Sequence, residues 1–149
     1  AVNAFGDVID PNSGTVVAGL RSGKVGPLRV GGKSQFADTL AMMKKPIGRG
    51  ILGFASRANT VIGVVATNAK LNKAQATKVA QMAQDGIART IRPAHTMLDG
   101  DVIFALSTGT RKADVSVVGA FAAEAMAEAV LRAVRLARSA GGLVGLNTA

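Results

Sequence analysis

Apolar positions along the chain fall into short runs separated by polar, glycine-punctuated stretches. Ala1 to Ile9, with Val2, Ala4, Phe5, Val8 and Ile9, predicts a strand. Asp10-Pro11-Asn12-Ser13-Gly14 follows as turn chemistry: proline presets one dihedral, and Asn and Gly tolerate a positive φ. Thr15 to Leu20 predicts a second strand, so the opening reads as a hairpin. From Arg21 to Gly53 glycine recurs, and the stretch reads as a mobile, basic connection. Within it, Ser34 to Lys45 carries Phe36, Leu40 and Met43 at helical spacing.

A β-branched run then starts at Thr60 and reads as a fully buried strand. Asn72 with Gln75 resembles a capping box, opening a helix that runs to about Arg92 before Pro93 stops it. Its apolar stripe is Ala76, Val79, Ala80, Ala83, Ile87 and Ile91, and Gly86 on that face permits close approach. A loop from Ala94 to Gly100 leads into a strand over Asp101 to Ser107, and Gly109 to Ala113 reads as a polar turn. A long helix is predicted from about Asp114 to Ala140, capped by Asp114 or Ser116 and ended by Gly141-Gly142. Glu128 and Arg132 form a favourable pair along it. The order strand, strand, connection, strand, helix, strand, helix implies a layered α/β protein.

Composition narrows the class. With 149 residues the chain supports one domain at most, and 48% hydrophobic residues argue for a folded core. Trp and Tyr are absent and Phe numbers 5, so that core is aliphatic and alanine-rich. Cysteine is absent too, which excludes disulfides and thiolate metal sites; a cytoplasmic location is expected. No basic region followed by an apolar run opens the chain, and no uncharged stretch approaches the ~20 residues of a membrane span. The formal charge of +9 invites a nucleic-acid reading. Against it, the positive residues are spread along the chain with no aromatic interleaved to stack on bases, and a solvated basic surface is expected.

One hydroxyl changes the picture. Thr60 stands where polar sequence meets the β-branched run. Thr60 reads as the first residue of a core strand or, were the chain cut between Asn59 and Thr60, as a nucleophile. The cut would leave an α-amine beside the hydroxyl, and such an amine, with a pKa of about 7.7 to 8, is a recognised activating base. A strand is a rigid mount for it.

The run NTVIGVVATNAKLNKAQATKVAQMAQDGIAR, the later HTMLDGDVIFALSTG and the opening AVNAFGDVIDPNSG together resemble the self-processing peptidases: the L-aminopeptidase/D-amidases, the β-aminopeptidases and the nylon-oligomer hydrolases. The likeness covers most of Thr60 to Ala149 and the opening, and weakens between Ser22 and Arg57. Asn-Thr at the cut, where the aminopeptidase branch has serine, resembles the nylon-oligomer (6-aminohexanoate oligomer) branch. This resemblance implies a four-layer αββα sandwich of which the chain is the C-terminal portion. Residues 1–59 would close the α segment with its mobile linker, and residues 60–149 would form the β segment. It implies cutting at Asn59–Thr60 and Thr60 as nucleophile. Asn3 falls where the family places its oxyanion donor, with Asn12 as the competing candidate. Asp99 would hold the Thr60 amine and Asp101 would stand behind it; a lysine supplied upstream in the family has no counterpart here.

Other readings of these residues stay open. Asp99 and Asp101 also suit a solvated turn, and they are too few for a metal site. His95, the single histidine, admits a Thr-His-Asp triad or a structural role. The resemblance implies no cofactor, small linear amides or peptides as substrates, and a homotetramer of processed pairs that includes the missing N-terminal segment. It implies neither nucleic acid nor membrane as a partner. Acyl transfer of the ornithine acetyltransferase type and a non-catalytic basic binding module are the alternatives.

Overall fold

A computed structural model of the chain describes residues 1–25, 28–31, 35–45 and 59–147. The protein is a mixed α/β structure in which two long helices cover one face of a three-stranded sheet. The sheet has the order β1 (Val2–Asn3), β6 (Thr60–Ala69), β8 (Val102–Arg111), with β1 antiparallel and β8 parallel to β6. Helices α2 (Lys73–Thr90) and α3 (Val115–Arg135) make the crossover and the covering layer. A second sheet holds β3 (Val16–Ala18), β2 (Asp7–Ile9) and β7 (Ile91–Arg92), all antiparallel. Two strands, β4 (Gly23–Val25) and β5 (Leu28–Val30), pair with each other, and α1 (Thr39–Met43) is a short helix capped by Asp38.

Several elements differ from the sequence reading for non-local reasons. The single opening strand is two strands in different sheets, β1 on β6 and β2 between β3 and β7. Gly6 lies at the switch, pressed so closely on the Arg92–Pro93 backbone that a Cβ there would meet the Pro93 oxygen. The hairpin expected around Asp10 to Gly14 is present as β2–β3. The connection from Arg21 holds the β4–β5 pair, and among the described residues the helix read over Ser34–Lys45 covers Thr39–Met43. Residues 26–27, 32–34 and 46–58, most of the glycine-rich part of that connection, lie outside the described residues, as do 148–149.

Helix α2 has the predicted capping box: the Asn72 side chain accepts from Gln75 N–H, and the Gln75 side chain accepts from Asn72 N–H. It ends at Thr90, whose hydroxyl donates back to the Gly86 carbonyl, and Ile91 and Arg92 continue as a strand on β2 instead of helix. Strand β8 runs on to Arg111 through the predicted turn, because its partner β6 is equally long and Gly109 lets Asn68 approach where a side chain would clash. Asp114 caps α3, accepting from the Ser116 and Val117 N–H groups, and that helix stops at Arg135 rather than Ala140. Gly141 and Gly142 adopt positive φ in a turn further on, bridged by Ala140 and Leu143.

The core follows from these placements. Val61, Val79, Ala83, Ile87, Ile103, Met126 and Val130 are buried together between α2, α3 and the sheet. The helices touch because Gly86 abuts the Ala123 backbone and Gly119 lies under Met82. Strand β6 is not fully buried, as its composition suggested, but buried on one face. Val61 faces the helices, while Ile62 and Val64 are exposed on the other side with Val102, Phe104 and Leu106 of β8. Register puts Ile62 beside Val102 and Val64 beside Phe104, so these side chains form one continuous apolar face. No helix among the described residues is long and apolar enough to cross a membrane.

A buried carboxylate ties α1 to the second sheet. Asp7 is fully buried, and accepts from Thr39 N–H at 2.6 Å and from the Thr39 hydroxyl at 2.7 Å. Burial pushes its carboxyl above the ordinary value, and the Thr39 bonds offset only part of that rise. A carboxyl raised on folding stabilises fully below its unfolded pKa, and that contribution is lost as pH climbs through the folded value. Urea midpoints measured across that window should therefore show the native protein losing stability relative to Asp7→Asn as pH rises. Asp7→Ala, which strands the Thr39 N–H, should cost about 1–3 kcal/mol below that window, where the native contribution is fully present. A pH-independent gap between native and Asp7→Asn would contradict the assignment.

Candidate active site

The sequence-predicted residues converge at one end of the three-stranded sheet. Thr60 opens β6, and Asn59 before it bridges to Asp99 in parallel register. The Thr60 side chain is on the open apolar side of the sheet, since Val61 after it is buried against the helices. Asn3 stands directly opposite Thr60 in the antiparallel β1–β6 pair, which puts both side chains on the same face. Asn12 is elsewhere, in the β2–β3 turn, where its N–H donates to Asp10.

At the Asn59–Thr60 peptide, two donors meet one oxygen. The Thr60 hydroxyl donates to the Asn59 carbonyl at 2.7 Å, and the Gly100 N–H donates to the same oxygen at 2.9 Å. Two hydrogen bonds on one amide oxygen draw electron density from its carbon, which favours attack there. Gly100 sits between the two aspartates, at the end of the loop predicted over Ala94 to Gly100, and the sequence reading gives it no role. Its backbone role is invisible to side-chain chemistry; only the parallel pairing of β8 with β6 brings its N–H to Asn59.

The aspartates are fixed by separate partners. Asp99 Oδ1 accepts from Phe5 N–H at 3.1 Å, and Oδ2 accepts from the Thr96 N–H and hydroxyl at 3.1 and 2.7 Å. This carboxylate therefore closes its own loop and holds the segment that follows Asn3. Asp101 Oδ1 accepts from Val61 N–H at 2.9 Å, immediately after Thr60, so the side chain holds the backbone beside the hydroxyl. Its Oδ2 lies 3.1 Å from His95 Nδ1. His95 has φ of 54°, a left-handed conformation uncommon in non-glycine residues, so the loop holds it against Asp101 at some cost. The histidine thus reaches the second aspartate, while the threonine hydroxyl gives its hydrogen bond to Asn59.

A strand-borne hydroxyl, a twice hydrogen-bonded amide carbonyl beside it and two anchored carboxylates form a set suited to amide-bond chemistry. The chain belongs to peptidase family S58, whose family model matches residues 11–148. It is 42% identical over 163 residues to an uncharacterized aminopeptidase of Mycobacterium leprae, a match spanning 95% of this chain and 41% of the relative. An uncharacterized aminopeptidase of Mycobacterium tuberculosis is 40% identical over 157 residues, spanning 95% of this chain and 44% of that protein. The 6-aminohexanoate-oligomer endohydrolase of Paenarthrobacter ureafaciens is 27% identical over 144 residues, covering 88% and 38% of the two chains. The chain thus spans less than half the length of these relatives.

Proposed function

We propose that the protein is an amide hydrolase that matures by cutting its own chain at Asn59–Thr60 and then works through the new N-terminal threonine. The observation that carries this reading is the Thr60 hydroxyl, 2.7 Å from the oxygen of the very carbonyl it would attack. In turnover the Thr60 Oγ attacks a substrate amide, the freed α-amine shuttles the proton, and water hydrolyses the resulting ester. Asn3, across the strand pair, is the side-chain donor to the oxyanion; Asp99 and Asp101 hold the amine and the strand head. Peptidase family membership and the names of the relatives support small linear amides with a free amino end, including 6-aminohexanoate oligomers and short peptides, as substrates.

Residues 1–59 and 60–149 belong, in this reading, to the C-terminal part of the α segment and to the β segment of a four-layer αββα sandwich. The exposed face of Ile62, Val64, Val102, Phe104 and Leu106 supports it, because an apolar sheet face ending at the nucleophile is a surface for a second sheet. An upstream segment and a homotetramer of processed pairs complete the active species. The experiment is an assay of the purified complete protein against aminoacyl amides and 6-aminohexanoate oligomers. Release of free amine without an added acceptor supports hydrolysis. Turnover only when an amine acceptor is present would make it an acyltransferase instead.

A further inference from the structure

Gly100 is more than a spacer between two carboxylates. Its N–H donates to the Asn59 oxygen at 2.9 Å, so it already touches the atom that would become negative if Thr60 attacked. A second observation is independent of that bond. A Cβ built on Gly100 would lie 3.2 Å from Thr60 Oγ1 and 3.7 Å from Asn59 O, so the space a side chain would fill is the space beside the nucleophile. Gly100 is not among the residues of positive φ, so backbone conformation does not demand glycine there. A side chain there would instead press on the Thr60 hydroxyl, which would have to give way by a few tenths of an ångström.

We infer that the Gly100 backbone N–H is an oxyanion donor for the cutting of the chain, and that the residue is glycine to leave Thr60 Oγ1 free to move onto the Asn59 carbon. The inference rests on the self-cutting proposed above. As the Oγ–C bond forms, the carbonyl π pair moves onto Asn59 O and is met by the Gly100 N–H. Collapse breaks the bond between Asn59 C and Thr60 N, and the hydroxyl proton ends on that nitrogen. Water then opens the ester, leaving the Asn59 carboxylate, the restored Thr60 hydroxyl and a free α-amine. The acyl oxygen of a substrate, bound where Asn59 was, meets the same N–H.

The test replaces the Gly100 amide by an ester, incorporating glycolic acid at position 100 of the complete protein, which deletes the N–H and little else. Cutting is followed by intact mass over time. Loss of one such donor slows acyl transfer roughly 100- to 1000-fold, and a slowing of at least 100-fold is expected. Gly100→Ala keeps the N–H but crowds the hydroxyl and should slow cutting at least tenfold. Adding Thr60→Ser, which removes the γ-methyl and lets the oxygen swing aside, should recover much of that loss. This coupling also decides the matter if the ester variant does not fold. Ester and alanine variants that cut within threefold of the native rate overturn the role of Gly100 alone. A native protein that never cuts overturns this inference and the proposed function together.

Discussion

Thr60→Ala is expected to leave a single uncut chain with no measurable amide hydrolysis, whereas Thr60→Ser should still be cut and retain activity. The hydroxyl carries the whole difference. With alanine there is no oxygen to attack Asn59, so neither the cut nor the α-amine that would serve as base can arise. Losing a nucleophile and its base together removes several orders of magnitude, in line with about 1.4 kcal/mol of barrier per factor of ten. Stability should change little, because the hydroxyl's one described bond is to the neighbouring carbonyl and the side chain is only half-buried. Recovery of a normally cut, active Thr60→Ala protein would show that Thr60 is merely the head of a core strand.

Asp99→Ala is the second large loss, expected at tenfold or more in kcat/KM, about 1.4 kcal/mol or beyond. This carboxylate accepts from Phe5 and Thr96 with both oxygens, so its removal frees two segments at once. One is the backbone after Asn3, which sets the proposed oxyanion donor across from Thr60; the other is the loop carrying Gly100. Asp101→Ala should act similarly through Val61, whose N–H it holds. Urea unfolding measured beside the kinetics separates the readings: a pure stability loss with unchanged kcat/KM would assign these aspartates to scaffolding alone. Chelation by EDTA should alter neither rate.

Much of the candidate site's placement was legible because its residues lie in short local motifs. Thr60 stands where a polar stretch meets a β-branched run, and Asp99-Gly100-Asp101 precedes an apolar strand, so the local pattern alone puts both on their elements. The Asn72–Gln75 capping box is equally local and starts α2 where it was expected. What escaped was set by pairing between distant segments. Nothing in AVNAFGDVID announces that Asn3 and Asp7 join different sheets; the close contact of Gly6 with Pro93 does that. Ile91 continues the helical stripe, yet it and Arg92 become strand because β2 offers partners. Strand β6 read as buried on both faces because β-branched residues fill either face equally well, whereas α2 and α3 cover only one. Gly100 acts through a backbone N–H, which the identity of a side chain cannot report.

The measurement closest to the central claim is the intact mass of the purified complete protein, combined with N-terminal sequencing of any pieces. Two pieces that part at Asn59–Thr60, the second beginning Thr60-Val61-Ile62, are the predicted result. A single uncut chain that nonetheless hydrolyses amides at full rate would contradict it, and would return Thr60 to the ranks of ordinary strand residues.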